Sequence, residues 1–338
     1  MAATNNEVWQ SATVVAISDV AVGIRRIELE PSAPKHAEPG SHIDLLATID
    51  GGQEKRSYSI VESKDLGKTL VISVFKAPVS RGGSVYMHTL KPGDTLRITQ
   101  PLQNFPLRVG AERYVLLAGG IGITAIMNMA AVLRNVKADY TLVYAGRTRA
   151  AMAYLQDLQK IHGARLQVHV DDEGSSLDVN ALVGGIDPGT ELYMCGPIRL
   201  MDAVRRSWTE RELVLPDLRY ETFGNSGWYD PEEFLVRIPR LGIEAKVGQG
   251  RSMLEALEDA GVDMMFDCRK GECGLCEVRI LNLDGAAVDH RDVFYSERQQ
   301  HAAEKMCCCV SRAVSSPTGS RTDANSSATP AVVTIDVS

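Results

Sequence analysis

The chain has 338 residues, 44% hydrophobic and 23% charged, a balance that predicts two or three folded domains and excludes a disordered polymer. Its formal charge of −7 leaves no basic surplus to offset phosphates, which argues against nucleic acid as a partner. No apolar run reaches the roughly 18 residues a membrane helix needs, and polar Met1–Ser11 lacks the basic start and apolar core of a signal peptide. No membrane partner and a cytoplasmic location are the expectations.

The first hundred residues read as strands: Val14–Val20, Ile24–Glu30, His42–Ile49, Lys55–Val61, Leu70–Lys76 and Asp94–Thr99. Pro39-Gly40, Gly51-Gly52, Gly82-Gly83 and Pro92-Gly93 punctuate them. Short strands at such regular spacing predict a small antiparallel β-barrel. The pattern then changes. Tyr114–Ala118 is a continuous apolar run of the kind buried in a parallel sheet. A glycine cluster and a helix over Thr124–Arg134 follow it. Strand Thr141–Ala145, helix Ala150–Ile161, strand Leu166–Val170, strand Leu192–Met194 and a helix after Cys195-Gly196-Pro197 continue the alternation, which predicts a parallel-sheet α/β domain.

Gly224–Pro231 is polar and glycine-rich, the composition of a linker. Beyond it, Phe234–Ile238 and Glu244–Val247 predict a hairpin. Ser252–Ala260 predicts a short helix, with Ser252 and Glu255 as a capping box and Gly261 as its stop. Ser315–Thr329 has the composition of a mobile loop, and Ala331–Val337 reads as a strand that returns to pair with this last domain.

Six of the seven cysteines lie in the last quarter of the chain. In a reducing compartment such clustering points to metal or redox chemistry rather than disulfides. Cys268, Cys273 and Cys276 form C-x4-C-x2-C, with a fourth cysteine about thirty residues on in Cys307-Cys308-Cys309. This is the plant-type [2Fe–2S] spacing, and iron needs four soft thiolates on a loop that wraps a compact cluster. Gly271 and Gly274 permit close backbone approach to the sulfurs. Zinc sites favour two separated C-x2-C pairs, which this spacing does not supply. In an extended strand Cys307 and Cys309 point one way and Cys308 the other, so periodicity narrows the fourth ligand without choosing it.

Two elements of the barrel suit a flavin. In Arg56-Ser57-Tyr58-Ser59 the Arg can pair with a phosphate, the Tyr can lie against the ring and a Ser hydroxyl can bond the ring edge near its reactive nitrogen. Arg81-Gly82-Gly83-Ser84 precedes a helix expected over Val85–Leu90, whose N–H groups would face a phosphate. In the α/β domain, Gly120-x-Gly122-x-x-Ala125 fits the dinucleotide fingerprint in its strand–turn–helix context. No acidic residue ends the next strand; Arg147 and Arg149 stand there, as they would for a 2′-phosphate, so both nucleotides stay open. Cys195, the one cysteine outside the cluster region, either rests beside a nicotinamide or fills the core. The seven histidines show no metal spacing, and His290 is expected at a surface or interface. No Gly-x-Ser-x-Gly elbow or HExxH supports hydrolysis.

Taken in order, RSYS, RGGS, AGGIGIT, CGP, YETFG, C-x4-C-x2-C, DHRD and CVSR make nearly the whole chain similar to the phthalate dioxygenase reductase family, in which a ferredoxin-reductase-like pair of domains is fused to a C-terminal plant-type ferredoxin. The resemblance implies an FMN-binding β-barrel (8–106), an NAD-binding α/β domain (110–223), a linker (224–233) and a β-grasp ferredoxin domain (234–338). It implies FMN held by Arg56, Ser57, Tyr58, Ser59 and the Arg81, Gly82, Gly83, Ser84 turn, with Phe223 against the ring. The nucleotide would lie over Gly120, Gly122, Ile123 and Thr124, with Cys195 and Gly196 near the reacting carbon and Ser59 and Cys195 nearest hydride transfer. The family's last cysteine precedes Val-Ser-Arg, which selects Cys309 beside Cys268, Cys273 and Cys276. The family mostly uses NADH, which is therefore expected despite the two arginines. A proline is usual where Ala125 stands, which would loosen the helix start.

The implied activity is hydride transfer from NADH to FMN, then single electrons through the cluster to the Rieske centre of an aromatic-ring oxygenase or O-demethylase. FMN is the converter between two-electron and one-electron steps, and the protein supplies position and electrostatics. The rival readings are a reductase for a haem or di-iron monooxygenase and, in another class, a zinc-stabilised interaction module.

Overall fold

The computed structural model describes residues 7–49, 51–224, 226–315 and 330–337, so most of the loop expected over 315–329 lies outside the described residues. The chain divides into two units, residues 1–196 with 203–221 and residues 197–202 with 222–338.

In the first unit, β1 (Trp9–Ala21), β2 (Ile24–Pro31), β3 (Ser41–Ile49), β4 (Gly52–Lys64), β5 (Thr69–Phe75) and β6 (Thr95–Thr99) pair antiparallel in the order β4-β5-β2-β1-β6-β3. A second pairing, β3 with β4, closes the barrel, and β7 (Leu102–Gln103) extends β3. All six expected strands are present. Alternation explains the closure: Ile43, Leu45 and Ala47 of β3, with Ile27, Leu29 and Ile98, are fully buried inside. Each such Leu or Ile contributes about 1.5–3 kcal/mol. Bulges between Val14 and Ala16 and between Ile60 and Glu62 bend the long strands. Helix α1 (Gly83–Met87) begins two residues earlier than expected.

The same unit holds a five-stranded, wholly parallel sheet in the order β10-β9-β8-β11-β12: β8 (Arg113–Gly119), β9 (Tyr140–Gly146), β10 (Leu166–Val170), β11 (Thr190–Cys195) and β12 (Leu218–Glu221). Tyr114 through Ala118 are all buried, as a strand covered on both faces requires. The helices are α2 (Ile123–Asn135), α3 (Leu155–His162), α4 (Val179–Gly184) and, from residue 203 onward, α5 (Ile198–Glu210). Ala125 is buried in a helix that already starts at Ile123, so the missing proline does not delay its start. The helix expected from Ala150 starts only at Leu155. Tyr154 takes a left-handed conformation (φ 61°), and its hydroxyl shares a 2.5 Å hydrogen bond with Ser73 of β5. Strand β12 and helix α4, four and six residues long, are too short to show a period and were not expected.

The second unit carries β13 (Phe234–Ile238), β14 (Ile243–Val247), α6 (Met253–Asp259), β15 (Glu277–Asp284), β16 (Ala286–Asp289), α7 (Glu297–Ala302), β17 (Lys305–Cys307), β18 (Arg312–Ser315) and β19 (Ala331–Asp336). The main sheet runs β14-β13-β19-β15-β17, and β16 pairs with β18. The expected hairpin forms, and Ser252 and Glu255 cap α6 reciprocally at 3.2 and 2.8 Å. The returning strand becomes the sheet's centre, parallel to β13 and antiparallel to β15. This mixed sheet under one helix is the β-grasp arrangement. The stretch read as a linker is tied down within this unit: the Trp228 N–H donates to Asp289 (2.9 Å) and Arg291 donates to the Tyr229 carbonyl (3.0 Å).

Candidate flavin, nucleotide and iron–sulfur sites

Arg56, Ser57, Tyr58 and Ser59 follow one another on β4. The Arg56 guanidinium donates to Glu54 (2.5 Å) and to the Arg81 carbonyl (2.8 Å). Its aliphatic stem lies 2.9 Å from the place a Cβ on Gly83 would occupy, so the two elements expected to hold a flavin are in contact. Gly82, with φ +81°, turns the chain there, and the Ser84 hydroxyl accepts from the Ala77 N–H at 3.2 Å. Burial pushes the Tyr58 phenol up, which keeps it neutral. Ser57 donates to Asp44 at 2.5 Å, and Ser59 is buried. A guanidinium beside a glycine turn fits a phosphate-bearing flavin such as FMN. Asp44 and Glu54 went unread in the sequence, because pairing across β3 and β4 and spacing along β4 place them only once the barrel closes.

At the tip of the parallel sheet, β8 and β11 are neighbours, with Cys195 opposite Ala118. The turns that leave them touch. A Cβ on Gly122 would lie 2.1 Å from the Cys195 carbonyl oxygen and 2.9 Å from the Gly196 nitrogen. No larger residue fits, which is the physical reason for glycine in the fingerprint. Thr124 closes the turn by donating to the Ile121 carbonyl at 2.9 Å. The fingerprint turn thus meets the Cys195-Gly196 turn through Gly122, while Ile123 and Thr124 are buried at the start of α2. Cys195 is 1% exposed. Phe223 follows β12, the neighbour of β11, but belongs to the second unit.

Arg149 is not a free cation. It donates to Glu173 through two bonds, 2.8 and 2.6 Å, and Asp171, Asp172 and Glu173 directly follow β10. The acidic group absent after β9 thus stands at the end of the adjacent strand. Sheet order, not chain order, makes them neighbours.

In the second unit, the loop after α6 wraps Cys268. Its sulfur accepts N–H bonds from Lys270 (3.4 Å), Glu272 (3.3 Å) and Cys273 (3.4 Å). The Cys273 thiol reaches Cys268, and the Cys309 thiol reaches both Cys268 and Cys276. Contact with Cys309, with help from the three amides against burial, holds the Cys268 thiol down at about 5. Gly271 has φ +76°, and a Cβ there would strike Val310 (2.6 Å) and Asp292 (2.8 Å). Paired thiols with amide N–H groups aimed at sulfur fit a two-iron cluster, which needs two ligands per iron.

The extended geometry assumed for Cys307–Cys309 is corrected. β17 stops at Cys307 and the chain turns, Ser311 N–H bonding back to the Cys307 carbonyl at 3.0 Å. His290 is corrected too. It lies buried, its Nδ1 3.3 Å from Asp292, because Asp289-His290-Arg291-Asp292 backs the cluster loop: the Val293 N–H donates to the Gly271 carbonyl at 3.0 Å.

Residues 236–314 match the 2Fe-2S iron-sulfur cluster binding domain, and residues 99–214 match the N-terminal domain of dimethylamine monooxygenase subunit DmmA-like proteins. The heme-dependent oxidative N-demethylase beta subunit of Ectopseudomonas mendocina is 34% identical over 90% of this chain and 96% of that protein. The carnitine monooxygenase reductase subunit of Acinetobacter pittii is 33% identical over 81% of this chain and 88% of its own. The solved phthalate dioxygenase reductase superposes with TM-score 0.70 at 27% identity, covering 97% of this chain and 98% of that one. Full-length CYP116B46 of Tepidiphilus thermophilus superposes with TM-score 0.63 at 32% identity over 98% of this chain, which spans only 42% of that protein.

A flavin-type barrel, a nucleotide-binding sheet and a [2Fe–2S] domain in one chain define an electron-transfer oxidoreductase. The chain belongs to the phthalate dioxygenase reductase family of oxygenase reductase subunits. In this family electrons pass from NADH through FMN and a [2Fe–2S] cluster to an oxygenase, and this chain is an oxidoreductase of that kind. Among the described residues no helix is long and apolar enough to cross a membrane.

Proposed function

We propose that this chain takes a hydride from NADH onto FMN and sends single electrons through its cluster to the Rieske centre of a partner oxygenase. The observation that carries the reading is the thiol constellation of Cys268, Cys273, Cys276 and Cys309, with three amide N–H groups on the Cys268 sulfur. The proposed domains are the FMN barrel (8–106), the NAD domain (110–223), a connecting segment (224–233) and the ferredoxin domain (234–338).

FMN supplies the exchange between two-electron and one-electron transfer when bound. The residues do the rest. Arg56 and the Arg81–Ser84 turn would hold the phosphate, Tyr58 would lie against the ring and Ser59 would bond its edge, and Phe223 remains the aromatic that the family resemblance assigns to the flavin. Gly120, Gly122, Ile123 and Thr124 carry the nucleotide, and buried Cys195 with Gly196 borders the nicotinamide. NADH is the favoured nucleotide, as in the family, and pairing with Glu173 engages Arg149, one of the two arginines after β9.

The Rieske acceptor is supported by likeness to relatives named as dioxygenase reductase subunits, such as the 3-chlorobenzoate-3,4-dioxygenase reductase subunit of Comamonas testosteroni. A haem acceptor is the second reading, favoured by the heme-dependent N-demethylase relative.

Anaerobic titration with NADH and then NADPH, followed by absorbance and electron paramagnetic resonance (EPR), tests the carriers. Bleaching of a flavin band with a rhombic [2Fe–2S] signal under NADH is expected. A colourless protein, or a flavin that bleaches without a cluster signal, overturns the assignment. Parallel turnover with a Rieske oxygenase and a haem monooxygenase separates the acceptors.

A further inference from the structure

Helix α2 reaches from the nucleotide fingerprint to the barrel. Its first residues are Ile123 and Thr124, and Thr124 closes the fingerprint turn by donating to Ile121. Asn128 follows one turn later, about 6 Å along the axis and on the Thr124 side of the helix. Its carboxamide Nδ2 donates to the carbonyl of Ile60 on β4 at 3.3 Å. Ile60 directly follows Ser59, the residue proposed at the flavin ring edge. The bulge between Ile60 and Glu62 interrupts the β4–β5 ladder at this point, where a side-chain donor finds a backbone acceptor.

The next helical residue, Met129, is fully buried. Its methyl carbon stands 2.8 Å from the place a Cβ on Gly40 would occupy, and the Phe105 carbonyl oxygen is 1.9 Å from that same place. Gly40, with φ +80°, thus admits no side chain between barrel and helix. Gly40 and Ile60 lie just beyond His42 and Ser59, which pair across β3 and β4. Two successive residues of α2 therefore hold both strands at the end where Ser59 stands. The Met129 contact is apolar and non-directional, whereas the Asn128 hydrogen bond depends on distance and angle.

We propose that Asn128 is a positioning residue for hydride transfer, fixing the nucleotide turn at the start of α2 against the strand that presents Ser59. This rests on the reading of these elements as the nicotinamide and flavin sites. Asn128 gives and takes no proton or electron, and the hydride passes from NADH to FMN as before. Hydride transfer needs its reacting atoms about 3–3.5 Å apart, so slack between the two elements is felt in the rate before it is felt in binding.

Asn128→Leu keeps the volume and removes the donor. In the full-length, flavin-loaded chain, stopped-flow mixing with NADH should show a limiting rate of flavin bleaching about tenfold lower, the scale of a sub-ångström misplacement. The Kd for NADH and the flavin content should stay close to wild type. The long-wavelength charge-transfer absorbance of the flavin–nicotinamide pair should weaken in parallel, a signature of ring stacking that a merely less stable fold does not move. Asn128→Gln keeps an amide donor on a longer arm and should recover part of both rate and absorbance.

Folded N128L with the wild-type rate and absorbance overturns the proposal, as does N128Q no better than N128L. Loss of NADH or FMN binding in parallel with the rate also overturns it, since Asn128 would then act on binding. Should leucine prevent folding, N128A takes its place, alanine being the residue a helix tolerates best. Failure of both to fold overturns the proposal, because Asn128 would then hold the fold itself. A wild-type chain that binds no flavin instead overturns the reading of the sites.

Discussion

Gly122 and Cys195 lie back to back: the Cβ that Gly122 lacks would sit 2.1 Å from the Cys195 carbonyl oxygen. Two loops separated by more than seventy residues thus share one floor, set by the parallel pairing of β8 and β11. Gly122→Ala must push backbone from backbone. It should cost about 1–3 kcal/mol of stability by overpacking. The KM for NADH should rise about tenfold, roughly 1.4 kcal/mol, with flavin content unchanged. Thermal melts and steady-state kinetics check both.

Glu173 is expected to act as a filter against the 2′-phosphate by occupying Arg149. Glu173→Gln frees the guanidinium, so the ratio of kcat/KM for NADPH over NADH should rise about two- to fivefold, the scale of an exposed ion pair. The gain should shrink at high salt. Competitive kinetics with both nucleotides measure it.

Glu54 accepts from Arg56, the cation proposed for the flavin phosphate, and would compete for it. Glu54→Gln should tighten FMN binding by about two- to fivefold, as loss of one modest ion pair allows. Fluorescence titration of the deflavinated protein reads the change.

Cys273→Ala removes a proposed iron ligand whose thiol also meets Cys268. Reduction of the partner oxygenase should vanish while NADH-driven ferricyanide reduction, drawn from the flavin, stays largely intact. Loss of both in a folded variant would mean that electrons leave the flavin by another route.

His162 gives a pH-dependent term. It is buried, 2.6 Å from the Tyr140 hydroxyl, and burial followed by the charges of Arg134 and Arg165 pushes its pKa below 6.5. The unfolded chain, with the ordinary value near 6.5, then binds the proton more readily than the folded one. The contribution is fully present above pH 6.5 and falls as pH drops below it, levelling once His162 protonates in the folded state. Denaturant unfolding from pH 7.5 to 5 should show this decline, and His162→Phe should flatten it.

Local signals settled much of this protein. C-x4-C-x2-C, Gly120-x-Gly122 and Ser252 with Glu255 work within one loop or turn, so a few residues of spacing carry the chemistry. The barrel strands were legible because alternate residues face one core.

What tertiary structure decided lies across strands. The Arg149–Glu173 pair depends on β9 and β10 being neighbours, and the contact of Ser57 with Asp44 depends on the register of β3 and β4. Helix α3 starts late because Tyr154 reaches Ser73 on the barrel, a contact no local propensity encodes. The three thiols of Cys307–Cys309 gather around Cys276 because β17 ends in a turn, where strand periodicity had alternated them. Sequence spacing specifies which groups are available, whereas pairing between distant segments specifies which of them meet, because side-chain contacts act over a few ångströms and only the closed sheet brings those segments that close.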